Sequence, residues 1–104
     1  MKGYSMLNVN RENIPERVVR YGHYWELAGG ISADGSFAGG TRNRKQAEGT
    51  ADVYRAKHQN VPTSRGFVRW KAIIVPYIAK ATYHWHVKGE KFYIVYIRRY
   101  VSKS

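Results

Sequence analysis

KATYHWHVKGEKFYIVYIRRYV, residues 80–101, carries the clearest secondary-structure signal in this sequence. Residues 80–88 alternate strictly between apolar and polar side chains, which predicts a half-buried strand. Lys88-Gly89 or Gly89-Glu90 can form a two-residue turn, and residues 91–101 then supply a second strand. With Lys88-Gly89 as the loop, Trp85 would face Phe92, and Tyr83 would face Ile94. The sequence therefore predicts a C-terminal hairpin.

Upstream of this hairpin the strand signals are shorter. Residues 67–74 are strand-like, although Pro76 limits pairing nearby because proline cannot donate to a ladder. Residues 53–58 are a candidate short strand, and residues 35–50, rich in glycine and polar groups, predict a loop or an irregular hairpin. Together these segments predict an antiparallel sheet of about four strands.

The N-terminal third favours a helix. Asn13 is a candidate N-cap, with Glu16 placed to complete a capping box. Apolar residues then recur at helical spacing: Ile14, Val18, Tyr21, Trp25 and Ala28. We expect a helix from about residue 14 to about residue 29, extending to 33 if the next residues are helical.

The predicted fold class is therefore α+β. An N-terminal helix is followed by a small twisted antiparallel sheet that ends in the C-terminal hairpin. Residues 1–12 are predicted to be an extended arm, and residues 13–104 a single α+β domain, since 104 residues suit one domain.

Charge is distributed unevenly along the chain, whose formal net charge is +11. Residues 1–52 hold seven basic and six acidic side chains, whereas residues 53–104 hold eleven basic side chains and one acid, Glu90. Such asymmetry favours a polyanionic partner, because each neutralised phosphate releases a condensed counterion. DNA or RNA is the expected partner, and an anionic membrane or an acidic protein is the alternative.

Several classes of protein are excluded or disfavoured by composition. The absence of cysteine excludes disulfides and thiolate metal sites. The longest apolar run, residues 72–79, is too short to span a bilayer, and no segment has a signal-peptide layout. We expect no membrane partner and an intracellular location, in the cytoplasm, an organelle matrix or a virus particle.

One nonapeptide carries a family resemblance. Residues 27–35, LAGGISADG, resemble the signature of LAGLIDADG homing endonucleases and differ from it at Gly30 and Ser32. Aromatic residues precede the motif, and Ser36-Phe37 follows it, as is common in that family. The resemblance implies a helix that packs against its twin in a homodimer, with Asp34 as catalytic residue and ligand of Mg²⁺.

Cleavage through such a site needs more than one carboxylate around the metal ions. One chain supplies only Asp34 here, so a divalent-metal-dependent DNA endonuclease would have to act as a homodimer. A descendant that binds nucleic acid without cleaving it is the alternative.

His84 and His86 lie on one face of the predicted strand and could share a metal ion, or they could simply face solvent.

Basic and aromatic residues interleave elsewhere in a pattern typical of nucleic-acid binding. Arg65, Arg69 and Lys71 share one face if their segment is a strand. The predicted nucleic-acid contacts are Arg42, Arg44, Lys45, Arg55, Lys57, Arg65, Arg69 and Lys71. A ribosome-associated or structural RNA-binding protein, and a phage-type inhibitor of a host protein, remain alternative functions.

Overall fold

A computed structural model describes residues 7–8, 12–29, 36–37, 40–60, 66–82 and 87–103. Its elements are β1 (Leu7–Asn8), β2 (Arg17–Arg20), β3 (His23–Leu27), β4 (Ser36–Phe37), β5 (Gly40–Thr41), α1 (Arg44–Ala56), β6 (His58–Asn60), β7 (Gly66–Ile78) and β8 (Lys91–Lys103). The main sheet is antiparallel, in the order β2-β3-β8-β7-β6, and β5 also pairs with β8. A separate ladder joins β1 to β4.

The long hairpin of β7 and β8 is the centre of the molecule. Its register runs without interruption from Gly66 opposite Lys103 to Ile78 opposite Lys91. Because side chains alternate between the two sides of a strand, this register gives the hairpin two apolar faces over its inner half. We call one of them the helix face, because α1 covers it. We call the other the hairpin face, after the hairpin of β2 and β3 that covers it.

The hairpin face holds one hydrophobic cluster. Trp25 and Leu27 of β3 are buried there against Phe92, Ile94 and Tyr96 of β8. The strands β2 and β3 reach this position because the sheet curls, so that its β2-β3 edge folds over its own centre. The Tyr96 hydroxyl donates a 2.7 Å hydrogen bond to the Pro15 carbonyl, which fixes the segment before β2 to this cluster.

The helix face holds the second cluster. Ala47 and Ala51 of α1 are fully buried, and they pack with Ala72 of β7 and Val95 of β8. Alanine at these positions lets the helix approach the sheet closely. The helix begins after Asn43, whose side chain accepts a 2.8 Å hydrogen bond from the Lys45 N–H, as an N-cap does.

The predicted N-terminal helix is wrong. Residues 17–27 form a β-hairpin, with Tyr21 and Gly22 as its two-residue turn. Both turn residues have positive φ, 55° and 77°, as a type I′ turn requires. The apolar spacing predicted a helix because residues seven apart, such as Val18 and Trp25, lie on the same side of a helix. In the hairpin the same two residues are direct cross-strand partners, so the spacing fits both structures.

The predicted α+β fold class, which depended on the N-terminal helix, is also wrong. The protein is mostly antiparallel sheet, with one helix in the middle of the described chain. That helix occupies residues expected to be loop and short strand. Ala47, Ala51 and Tyr54 have helical spacing and lie against the sheet, so their burial outweighs the low propensity of Gly49.

The predicted C-terminal hairpin is half right. Residues 91–101 are strand, as expected, and so are residues 67–74. They pair with each other, so Phe92 faces Tyr77 and Ile94 faces Val75. A strand as long as β7 can pair along the whole of β8, and α1 and β2-β3 cover the two faces of that pair. The predicted strand 80–88 is a connection at its described residues, 80–82 and 87–88, and Tyr83, His84, Trp85 and His86 lie outside the described residues.

The segment that resembles LAGLIDADG starts inside the sheet. Leu27 belongs to β3, and Gly29 has a φ of 81°, so the implied helix does not pass through these residues. The Ala28 N–H binds the Val95 carbonyl at 3.0 Å, and Gly40 pairs with the neighbouring Ile94. The chain therefore leaves the edge of β8 at Ala28 and returns to it at Gly40.

Candidate nucleic-acid interface

The predicted cationic residues separate into two groups at opposite ends of α1, which spans about 20 Å at 1.5 Å per residue. Arg42, Arg44 and Lys45 lie at its start. Lys57 follows its end and approaches Trp70, which lies on β7 between Arg69 and Lys71. Arg65 and Asp34 lie outside the described residues.

The two arginines of the first group are engaged in the fold. Arg42 forms a short ion pair with Glu90 and stacks over the Phe92 ring. Arg44 lies 3.6 Å from Glu48, one helical turn later. Carboxylates thus offset both guanidinium charges and reduce the attraction of this end for phosphate.

Arg55 is also engaged. Its guanidinium contacts Asp52 at 2.9 Å and Glu48 at 3.9 Å, and it donates a 3.0 Å hydrogen bond to the Ala72 carbonyl. The residue therefore fastens α1 to β7.

The distal hairpin, residues 66–71 of β7 with residues 98–103 of β8, is different. It holds five lysines and arginines and no acidic residue. Arg69, Lys71 and Arg98 share the hairpin face, and Arg99 projects from the helix face opposite Trp70. Within the described chain, no carboxylate forms an ion pair with these four cations.

Aromatic rings accompany the cations at this end. Lys71 Nζ lies 5.3 Å from the centre of the Tyr100 ring, and the Arg98 guanidinium lies 5.5 Å from the Trp25 ring. Arg98 Nε is buried and has no hydrogen-bond partner among the described residues. Such contacts position a cation without neutralising it, so its field remains available to an anion.

On the helix face, Lys57 Nζ lies 5.2 Å from the Trp70 ring and 5.3 Å from the Tyr54 ring. The Lys57 side chain is exposed. The end of α1 therefore places one more cation beside the distal hairpin.

A concavity of about 350 Å³ opens beside the distal hairpin. Its lining residues are Arg17, Tyr24, Glu26, Trp70, Ile97, Arg98 and Arg99. A neighbouring concavity of about 420 Å³ is lined by Glu16, Arg17, Glu26 and Leu27, with no aromatic ring among them. The smaller concavity combines rings with three arginines, which suits a nucleotide better.

Sequence reasoning missed Arg17, Arg98 and Arg99. The pair Arg98-Arg99 interrupts an otherwise apolar and aromatic strand, and adjacent residues of a strand project from opposite faces. That signal could have placed a cation on each face of β8. Arg17 had no comparable signal, because its segment resembled a helix.

The described residues contain no group of three or more His, Asp or Glu side chains that could hold a metal ion. The Mg²⁺ site predicted at Asp34 lies outside them. No helix in the described ranges has the length and apolar character needed to cross a membrane.

Comparisons with known proteins found no matching family model, no matching curated protein and no matching solved structure.

Proposed function

We propose that this protein binds nucleic acid through the distal hairpin. The observation that supports the proposal is the concentration of cations there without acidic partners, on a strand pair that also presents aromatic rings. Cations that already have carboxylate partners, such as Arg42 and Arg44, offer less to a polyanion. Arg69, Lys71 and Arg99 are exposed, and none of them has a carboxylate partner among the described residues.

The arrangement suits a phosphate backbone in particular. Lysines and arginines that neutralise phosphates release condensed counterions, so binding should weaken steeply as salt is raised. Cations on both faces of this end of the sheet would let it contact phosphates on either side. An acidic protein or an anionic membrane lacks the unpaired bases that Trp70 and Tyr24 could stack on.

The test is fluorescence anisotropy of labelled DNA and RNA oligonucleotides across a range of salt concentrations. Wild-type affinity should fall steeply with salt. The double variant Arg69→Ala/Lys71→Ala should weaken binding to all sequences and reduce the slope of log K against log salt by about 2, at roughly 0.9 per phosphate contact.

Two further variants locate the surface. Lys80→Ala/Lys88→Ala removes the same charge from exposed positions at the opposite end of the hairpin and should leave the slope nearly unchanged. Arg42→Ala/Arg44→Ala/Lys45→Ala tests the residues first predicted from the sequence. If that variant loses more affinity than Arg69→Ala/Lys71→Ala, the interface lies at the start of α1. A wild-type affinity that does not change with salt concentration would contradict the proposal.

Endonuclease activity rests on the resemblance of residues 27–35 alone and stays a prediction. Asp34→Asn should abolish any magnesium-dependent nicking of supercoiled DNA while salt-sensitive binding persists. A wild type that binds but never nicks with Mg²⁺ would leave the protein a binder without cleavage.

A further inference from the structure

The concavity beside the distal hairpin is a fork between two strands. β3 pairs with β8 only at Glu26 and Leu27 among the described residues, so the two strands have separated by Tyr24. Trp70 lies on the far side of β8, directly opposite Arg99. Tyr24 and Trp70 both line the concavity between these strands. Its volume of about 350 Å³ has room for one base with its sugar.

The rings in this fork are available for stacking. Tyr24 is 66% exposed although it is a large aromatic residue on a short strand. The Arg17 guanidinium lies 5.5 Å from the Tyr24 ring, and Lys57 approaches Trp70 from the end of α1. Rings flanked by cations are the usual platform for a single strand, because bases stack on the rings while the cations meet the phosphates.

Glu26 is the one carboxylate among the described residues that line this concavity. It forms an ion pair with Arg17 at 3.6 Å, which is longer than a hydrogen bond, so its two oxygens can still accept from a base. A carboxylate here repels phosphate and attracts a donor edge. Guanine presents two adjacent donors on its Watson–Crick edge, N1–H and the N2 amine. Cytosine and adenine present one amine there, and uracil places its single N–H between two acceptors.

We infer that the fork holds one unpaired guanine of a single-stranded nucleic acid, with the base against Tyr24 and Trp70 and its Watson–Crick donors on the Glu26 carboxylate. Arg99, which has no carboxylate partner among the described residues, meets an adjoining phosphate. The inference rests on the proposed function and adds to it a strand type and a base preference.

The probes are oligouridylates of about ten nucleotides, long enough for one binding module. One has a single central guanosine, and a second has inosine there, which lacks the N2 amine. Wild type should prefer guanosine over inosine by about tenfold, as expected for one of two hydrogen bonds to a base edge. Glu26→Gln exchanges one acceptor for a donor, so the preference should vanish while affinity for plain oligouridylate stays equal or rises.

Tyr24→Ala tests the stacking platform separately from charge. It should weaken binding of the guanosine probe by about tenfold, in line with loss of one stacked base. The salt slope should not change, since no phosphate contact is lost. Tyr24→Phe keeps the ring and should bind like wild type. Because Tyr24 and Glu26 are both exposed, these variants should fold normally, which circular dichroism can verify.

The outcomes separate this inference from the proposed function. If wild type binds guanosine and inosine probes equally, or if Tyr24→Ala leaves single-strand binding unchanged, the guanine site is overturned while salt-dependent binding through the distal hairpin stands. If wild type binds no nucleic acid with a steep salt dependence, both fall.

Discussion

Glu12 shows how a single buried carboxyl group organises one end of the protein. It is 1% exposed, and its Oε1 accepts hydrogen bonds from the Tyr77 hydroxyl at 2.7 Å and the Lys80 N–H at 3.0 Å. Tyr77 also donates to the Glu12 carbonyl at 3.0 Å. A buried carboxylate is tolerated only with such partners, so Glu12 joins the segment before β2 to the end of β7. At this end the charges serve the fold, in contrast to the distal hairpin.

Tyr96 provides a residue-scale prediction about pH. Burial raises the pKa of Tyr96 above its usual value, an effect that the positive charge of Arg20 partly offsets. The folded state therefore favours the neutral phenol. Its contribution to stability is fully present below about pH 10, the usual pKa, and is lost as pH rises from there through the folded-state pKa.

Tyr96→Phe should cost about 1 kcal/mol at neutral pH, through loss of the hydrogen bond to Pro15. It should also flatten the fall of unfolding free energy above pH 10. Urea titrations at several alkaline pH values measure both effects, with Tyr93→Phe on the opposite face of β8 as the matched control. If the unfolding free energy fell as steeply above pH 10 in Tyr96→Phe as in wild type, the assignment of this fall to Tyr96 would be contradicted.

At the scale of elements, the strands β7 and β8 were predictable and their partners were not. Apolar and β-branched residues mark both strands in the sequence, but Phe92 could pair equally well with Trp85 across a short turn or with Tyr77 across a longer connection. The choice depends on covering both faces of β8, which no local pattern encodes. Local sequence also could not decide the structure around Val18 and Trp25, because a helix and a hairpin both bring these two residues together.

Replacement by alanine is expected to change the stability of the protein in opposite directions at two glycines. Gly22 has a φ of 77° in the turn between β2 and β3, so Gly22→Ala should destabilise the protein by about 1 kcal/mol. Gly49 lies inside α1, and a Cβ there would meet nothing within 4 Å, so Gly49→Ala should stabilise it by up to about 1 kcal/mol. Urea unfolding measures both. Equal signs would mean that the turn or the helix is misassigned.

At the scale of the whole molecule, charge and packing are segregated along the β7-β8 hairpin. The inner half is covered on both faces, by β2-β3 and by α1. The distal half presents its cations without acidic partners among the described residues. The strong charge asymmetry of the sequence predicted a cationic surface, and the strand pattern predicted that Arg69 and Lys71 share one face, as they do in the register. The sequence could not show which of the predicted arginines find carboxylates in the fold. Arg42 and Arg44 do, whereas Arg69 does not.

This segregation predicts that a polyanion stabilises the protein. Unneutralised cations repel one another, which destabilises the compact state, and a bound polyanion removes that repulsion. A single-stranded oligonucleotide at 100 times its dissociation constant should add about 2.7 kcal/mol to the unfolding free energy. Thermal unfolding at low salt, with and without the oligonucleotide, measures the shift in midpoint.

The double variant Lys71→Gln/Arg99→Gln should be more stable than wild type at low salt without ligand, because it removes two of the repelling charges. Adding the oligonucleotide should also raise the unfolding free energy of this variant much less than that of wild type. Arg44→Gln is the matched control. It loses an ion pair with Glu48, so it should be slightly less stable and should keep the full gain from ligand. If Lys71→Gln/Arg99→Gln gains as much as wild type, the polyanion binds elsewhere, and the cations of the distal hairpin serve another purpose.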